Sequence, residues 1–161
     1  MDALVERLQR CVESVSEKYH KIVLVIGSFG SGKTDLLRSY ESRNPESAEY
    51  INLNHALTKR LIDIPSRQLL FESEKCLNEI FEESKSPIAL VDNIEVLFDP
   101  ALSLDPLRLL QRLSRSKTLV VAWPGRCKEG EVSYAEPGYK EHKTYPLKDL
   151  VIIDLNGWKR R

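Results

Sequence analysis

Gly27-Ser28-Phe29-Gly30-Ser31-Gly32-Lys33-Thr34 fits the pattern G-x-x-x-x-G-K-[ST]. This spacing suits polyphosphate binding: the glycines let successive backbone N–H groups turn inward, and a helix opening at Lys33 adds its partial positive charge. In such a loop Lys33 reaches the β and γ phosphates of ATP, and the Thr34 hydroxyl ligates Mg²⁺. The plainer reading is a Gly-rich turn joining a strand to a helix, in which the lysine and threonine at these two positions are coincidental.

A carboxylate is needed to complete the Mg²⁺ site, and ligands of open α/β sheets collect at the carboxyl ends of buried strands. Asp92 ends the apolar run Ile88-Ala-Leu-Val91 and fits that role, although an aspartate there also caps turns. Hydrolysis further requires a group that orients or deprotonates water. Asn93 stands where many ATPases carry glutamate; an amide positions water but is a poor base, which predicts slow turnover or a base from elsewhere. Glu95 is the nearest carboxylate, and otherwise a surface glutamate. An arginine that stabilises developing charge has candidates in Arg108, Arg112, Arg115 and Arg126. The first three lie among leucines, as on the solvated face of a helix. Arg126 follows a strand end, from which it approaches a nucleotide of its own chain or of a neighbour.

The elements that must position these groups follow from apolar periodicity. Leu4, Val5, Leu8, Cys11, Val12 and Val15 recur on one helical face, predicting a lead-in helix over 2–19. Lys21-Ile-Val-Leu-Val-Ile26 is a continuous β-branched run of the kind buried on both sheet faces, and a helix from Lys33 to about Tyr40 completes the loop unit over 21–40. Further strands are expected at 50–53, 88–91, 118–122 and 150–155, and helices near 66–84 and 106–114. Such alternation predicts an α/β fold, a three-layer αβα sandwich around a mainly parallel five-stranded sheet. The second site region spans 88–98. Residues 124–146, with Gly, Pro and three Tyr, break the rhythm and read as a long functional loop. Its stretch Gly138–Pro146 mixes aromatic and basic residues, but Glu141 and neighbouring acids dilute the charge, so a solvated or partner-binding loop is favoured over direct DNA contact.

Composition narrows the class. At 161 residues the chain fits one domain spanning 1–161. Lys plus Arg equals Asp plus Glu at 24 each, so no global field draws it to nucleic acid or anionic lipid. Cys11, Cys76 and Cys127 are odd in number and far apart, which argues against a disulfide framework or a zinc site. His20, His55 and His142 show no metal-ligand spacing. The N-terminus lacks the apolar core of a signal peptide, and no apolar run approaches membrane-spanning length. A cytoplasmic protein with free thiols is expected.

The segments IVLVIGSFGSGKT, SPIALVDNIEVLF and KTLVVAWPG, in this order and spacing, resemble the P-loop core of AAA+ and related STAND ATPases: Walker A, Walker B and the strand that usually carries a polar sensor. The small size, the Asp92-Asn93 pair and Tyr134-Ala-Glu-Pro-Gly138 resemble the BrxF family, small P-loop proteins of type 3 BREX phage-defence systems. That resemblance implies a bacterial or archaeal protein acting with other BREX components, among them a large ATPase, a methyltransferase and an alkaline-phosphatase-like protein. Three departures from the AAA+ pattern matter: Asn93 replaces glutamate, Ala122-Trp123-Pro124 lacks the sensor's polar residue, and no helical lid domain follows Leu155. An uncovered nucleotide is then best enclosed by another subunit, so a nucleotide-dependent homo-oligomer or partner complex is expected. Three functions remain open: a weak or partner-stimulated ATPase acting as an assembly switch, a small-molecule or nucleotide kinase with Arg108, Arg112 and Arg115 as lid arginines, and a non-catalytic nucleotide-binding module.

Overall fold

The computed structural model describes residues 1–134 and 143–157. Its elements run α1 (Asp2–Val15), β1 (Ile22–Gly27), α2 (Lys33–Arg43), β2 (Ala48–Asn52), α3 (Leu53–Leu61), α4 (Leu69–Glu83), β3 (Ile88–Asp92), α5 (Pro106–Leu113), β4 (Thr118–Lys128), β5 (Glu131–Tyr134), β6 (Lys143–Pro146) and β7 (Val151–Asp154). Strands rich in Val, Ile and Leu pair in the order β2-β3-β4-β1-β7, all parallel along that path. Every residue of β1 is buried, as expected of a strand covered on both faces.

Alternation of side chains divides the core in two. Leu24, Ile26, Val91, Val121 and Trp123 pack with Leu57, Leu77, Ile80 and Leu110 from α3, α4 and α5. Val23, Val25, Leu90, Val120 and Ile153 face Leu8, Val12, Leu36 and Leu37 from α1 and α2. The chain is therefore the three-layer αβα sandwich its sequence predicts, with β1 between β4 and β7 and its Gly-rich continuation at the carboxyl edge of the sheet. No helical lid is present among the described residues, and no helix among them is long and apolar enough to cross a membrane.

Several local expectations change. The lead-in helix stops at Val15 rather than at 19 because the buried stripe Leu4, Val5, Leu8, Val12, Val15 ends there. A helix appears at Leu53–Leu61 that the sequence reading passed over: the Asn52 side chain caps it by accepting from His55 N–H at 3.1 Å, and Leu53 and Leu57 bury its short apolar face.

The long loop over 124–146 is corrected most. β4 continues through Trp123 to Lys128 and turns at Glu129 and Gly130, both with positive φ (53° and 78°). A two-residue turn of this hand matches strand twist, and β5 returns antiparallel with Lys128 opposite Glu131. β6 then pairs with β5. Residues 135–142, which include most of the Tyr134–Gly138 stretch as well as Glu141 and His142, lie outside the described residues. Trp123 anchors the hairpin: it is wholly buried, its indole N–H donates to Ser133 O at 3.1 Å, and Phe98 and Tyr145 meet it edge-on.

Two checks follow from this packing. Trp123→Ala should lower unfolding free energy by about 3–5 kcal/mol, the usual cost of truncating a buried aromatic side chain, as measured by urea denaturation. The Cys127 thiol is pushed up from 9.0 to about 11, by burial first and by the Asp154 carboxylate second. The thiolate is the reactive form, so near pH 8 it should be about 100-fold scarcer than for an unshifted thiol. Iodoacetamide labelling followed by mass spectrometry should therefore find Cys127 slow at pH 8, with a rate still rising beyond pH 10.

Candidate functional site

The loop leaving β1 is built by contact constraints. An added Cβ at Gly27 would meet Ser31 Oγ at 2.0 Å, so the chain folds back on itself only because residue 27 has no side chain. Gly32 caps α2 with φ 100°, a left-handed conformation that glycine adopts without strain. Lys33 Nζ donates to Gly27 O at 2.8 Å and Ser28 O at 2.9 Å. An ammonium carries three protons, leaving one for an outside acceptor. Burial holds the Lys33 amine below its ordinary value, opposed by the charges of Asp92 and Glu95. Ser31 Oγ is buried without a hydrogen-bond partner, and Phe29 is fully exposed at the loop tip.

The crossover α2 carries Thr34 over the intervening strand β4 to β3. There Thr34 Oγ1 donates to Asp92 Oδ2 at 2.6 Å, joining residues 58 positions apart. Asp92 is only 3% exposed, and a carboxylate so buried requires donors. It has two more: the Tyr50 hydroxyl reaches Oδ2 at 2.5 Å, and Asn93 N–H reaches Oδ1 at 2.9 Å. The Tyr50 phenol is raised well above its ordinary value by burial and then by this bond to Asp92.

Asn93 takes a left-handed backbone, φ 58° and ψ 56°. Asparagine is among the few non-glycine residues that tolerate it, which gives a backbone reason for the residue type independent of any work on water. Glu95 is exposed on the short 3₁₀ turn Ile94–Phe98 and lies close enough for its charge to act on Lys33. Arg126 stands on β4, exposed, opposite Ser133, two residues past Pro124, which pairs with Gly27.

The α5 arginines divide differently. Arg112 pairs with Glu74 at 3.0 Å, and the Arg115 guanidinium sits 4.6 Å from the centre of the Tyr19 ring. Ser114 O accepts from Lys21 N–H, so the end of α5 meets the start of β1, the opposite end from Gly27. Arg112 and Arg115 are thus not placed as lid arginines. Arg108 is exposed in the first turn of α5.

Sequence reasoning missed two residues. Asn156 accepts from Ser28 N–H at 2.9 Å and donates to Gly125 O at 3.0 Å, tying the loop to β4; an asparagine after a strand reads as an ordinary turn residue. Tyr50 looks like one more aromatic in a strand, and no local spacing links it to Asp92.

The residues present fit a nucleotide with Mg²⁺. The Thr34 hydroxyl donates its hydrogen bond to Asp92, which leaves the hydroxyl oxygen's two lone pairs for a cation, while Ser31 Oγ offers an unspent polar group in the loop. Among the described residues no group of three or more His, Cys, Asp or Glu could hold a metal by itself. Mg²⁺ commonly takes one or two protein ligands and completes its shell with phosphates and water.

No family model and no curated protein matches the chain. Among solved structures it is similar to a DNA replication initiation factor (12% identity over 92% of this chain and 44% of that chain, TM-score 0.49). It is also similar to Drosophila ORC bound to DNA (15% identity, 96% and 46%, TM-score 0.48) and to the FIGL-1 AAA domain in complex with ADP (18% identity, 94% and 48%, TM-score 0.46). The chain spans less than half the length of each.

Loop geometry is open to a direct test. Gly27→Ala drives a methyl group into Ser31, whose Oγ and Cβ would lie at 2.0 and 2.9 Å, and overpacking of this kind costs about 1–3 kcal/mol. Titration with a fluorescent ATP analogue should show binding lost or weakened at least tenfold, roughly the equivalent of 1.4 kcal/mol. Gly27→Ala/Ser31→Gly, which removes the obstructing side chain, should recover much of it.

Proposed function

We propose that the chain is a single P-loop domain that binds ATP with Mg²⁺ and acts as a nucleotide-gated assembly switch, with hydrolysis that is slow or stimulated by a partner. The observation that carries this reading is the 2.6 Å bond from Thr34 to Asp92. It brings the last residue of the phosphate loop onto a buried carboxylate, that of Asp92, at the carboxyl edge of the sheet. In this reading the loop amides of Gly27 to Thr34 and the Lys33 ammonium hold the phosphates, and Thr34 with Asp92 holds Mg²⁺. The ion, when bound, would neutralise charge on the β and γ phosphates.

Turnover then depends on groups outside this set. Asn93 orients water at best, Glu95 is the candidate base, and Arg126 is the candidate charge stabiliser from its own or a neighbouring subunit. Phe29, fully exposed at the tip of the loop, and the exposed Glu95 support enclosure by a second copy or a partner. The resemblance to the BrxF family suggests the setting: a bacterial cytoplasmic anti-phage system of the BREX type, with other BREX components as partners. A second reading, a nucleotide-binding module without catalysis, is favoured by the left-handed backbone that by itself accounts for Asn93.

Sedimentation of the native chain and of Lys33→Ala, with and without ATP–Mg²⁺, tests the switch. The native chain should assemble with nucleotide while releasing phosphate slowly. Lys33→Ala should bind at least tenfold more weakly, on the scale of one lost charged hydrogen bond at about 1.5–3 kcal/mol, and stay in its nucleotide-free state. Assembly without phosphate release, even with partners added, would select the non-catalytic module; no change in mass or phosphate would reject the switch for this chain.

A further inference from the structure

Tyr50 belongs to no motif, yet its hydroxyl and that of Thr34 share one oxygen of Asp92, at 2.5 and 2.6 Å. The third donor, Asn93 N–H, takes the other oxygen. An ionised carboxylate has about four acceptor sites, so these donors leave one, on Oδ1, and fix which way the group faces. Tyr50 is itself held. Its backbone N–H donates to Glu41 Oε2 at 2.7 Å, and its ring lies under the Arg38 guanidinium, 3.5 Å from the ring centre. Arg38 in turn pairs with Glu41 at 3.3 Å. Thr34, Arg38 and Glu41 stand at i, i+4 and i+7 on α2, one face of the helix. The face that supplies the Thr34 ligand therefore also clamps the tyrosine that orients the Asp92 ligand.

We infer that Tyr50 is a positioning residue of the metal site: by fixing the Asp92 carboxylate it sets the affinity for the divalent cation bound with nucleotide, without touching the phosphates. This rests on the ATP–Mg²⁺ reading above. Partners that orient a metal ligand typically matter tenfold or more for metal affinity, so the effect is measurable apart from turnover.

The test uses the full chain and the fluorescent analogue mant-ATP, first in EDTA and then titrated with Mn²⁺, with free Mn²⁺ followed by electron paramagnetic resonance. Tyr50→Phe should leave mant-ATP affinity in EDTA within about twofold of native and raise the Mn²⁺ midpoint about tenfold. Arg38→Met, which keeps the hydroxyl but removes the cation from the ring, should shift the midpoint in the same direction by less, and it is the variant to read if Tyr50→Phe does not fold. In an Asp92→Asn background Tyr50→Phe should add nothing, because Tyr50 acts through that carboxylate. An unchanged or lowered midpoint, an equal loss in EDTA and Mn²⁺, or additive effects with Asp92→Asn would overturn the inference while native mant-ATP binding still stood. Failure of the native chain to bind mant-ATP at all would reject the nucleotide reading and this inference with it.

Discussion

Burial of the Asp92 carboxylate is the constraint on which the site is built. A charge at 3% exposure is costly unless it is paired or hydrogen-bonded, and hydrogen bonds to charged groups contribute about 1.5–3 kcal/mol each. The three donors come from three separate places: Thr34 from α2, Tyr50 from β2 and Asn93 from the turn after β3. Satisfying one carboxylate thus fixes a helix, an edge strand and a turn relative to one another. Removing any donor would leave part of the charge desolvated and unpaired, so the same bonds that shape the site also join its elements.

Sheet order makes this convergence possible. β1 and β3 are not neighbours, since β4 lies between them. The loop and Asp92 meet because α2 starts at Gly32 and crosses the face of the sheet, its Leu36 and Leu37 buried among Val25, Leu90 and Val120. Each fully buried leucine of this kind contributes roughly 1.5–3 kcal/mol through the hydrophobic effect, which offsets part of the entropy lost in ordering the loop. Asn156 adds the matching tie on the other side, joining Ser28 to Gly125, so the loop is held at both its beginning and its end.

Much of this was legible in the sequence because it depends on local chemistry. Phosphate-loop spacing, β-branched runs and leucine periodicity are decided by neighbours in the chain, and they yielded the parallel sheet, its flanking helices and the position of Asp92 at a strand end. Other features depend on partners far away in sequence. Tyr50 becomes part of the site only because β2 pairs in register with β3, Asn52 beside Asp92. Asn156 matters only because β7 lies next to β1. The β4–β5 hairpin was hidden for another reason: Glu129-Gly130 is not one of the Asn-Gly or Asp-Gly pairs that announce such turns, and Pro124 and Gly125 suggested a strand end where the strand in fact continues.

In the proposed function, binding and turnover would draw on groups that differ in how the fold holds them. Lys33, Thr34 and Asp92 are held by short bonds to neighbouring groups, whereas Glu95 is exposed on a 3₁₀ turn. Fixing a long charged side chain in one rotamer costs up to about 1.5–2 kcal/mol, and general base catalysis requires hydrogen-bond reach of the proton to be removed. If Glu95 takes part in hydrolysis, the isolated chain bears that cost in every turnover. A second surface placed over the loop would order Glu95 and exclude water around it, where charges act more strongly. Hydrolysis would then follow assembly rather than precede it, and the order of events in such a switch would be set by which of its groups the fold already holds.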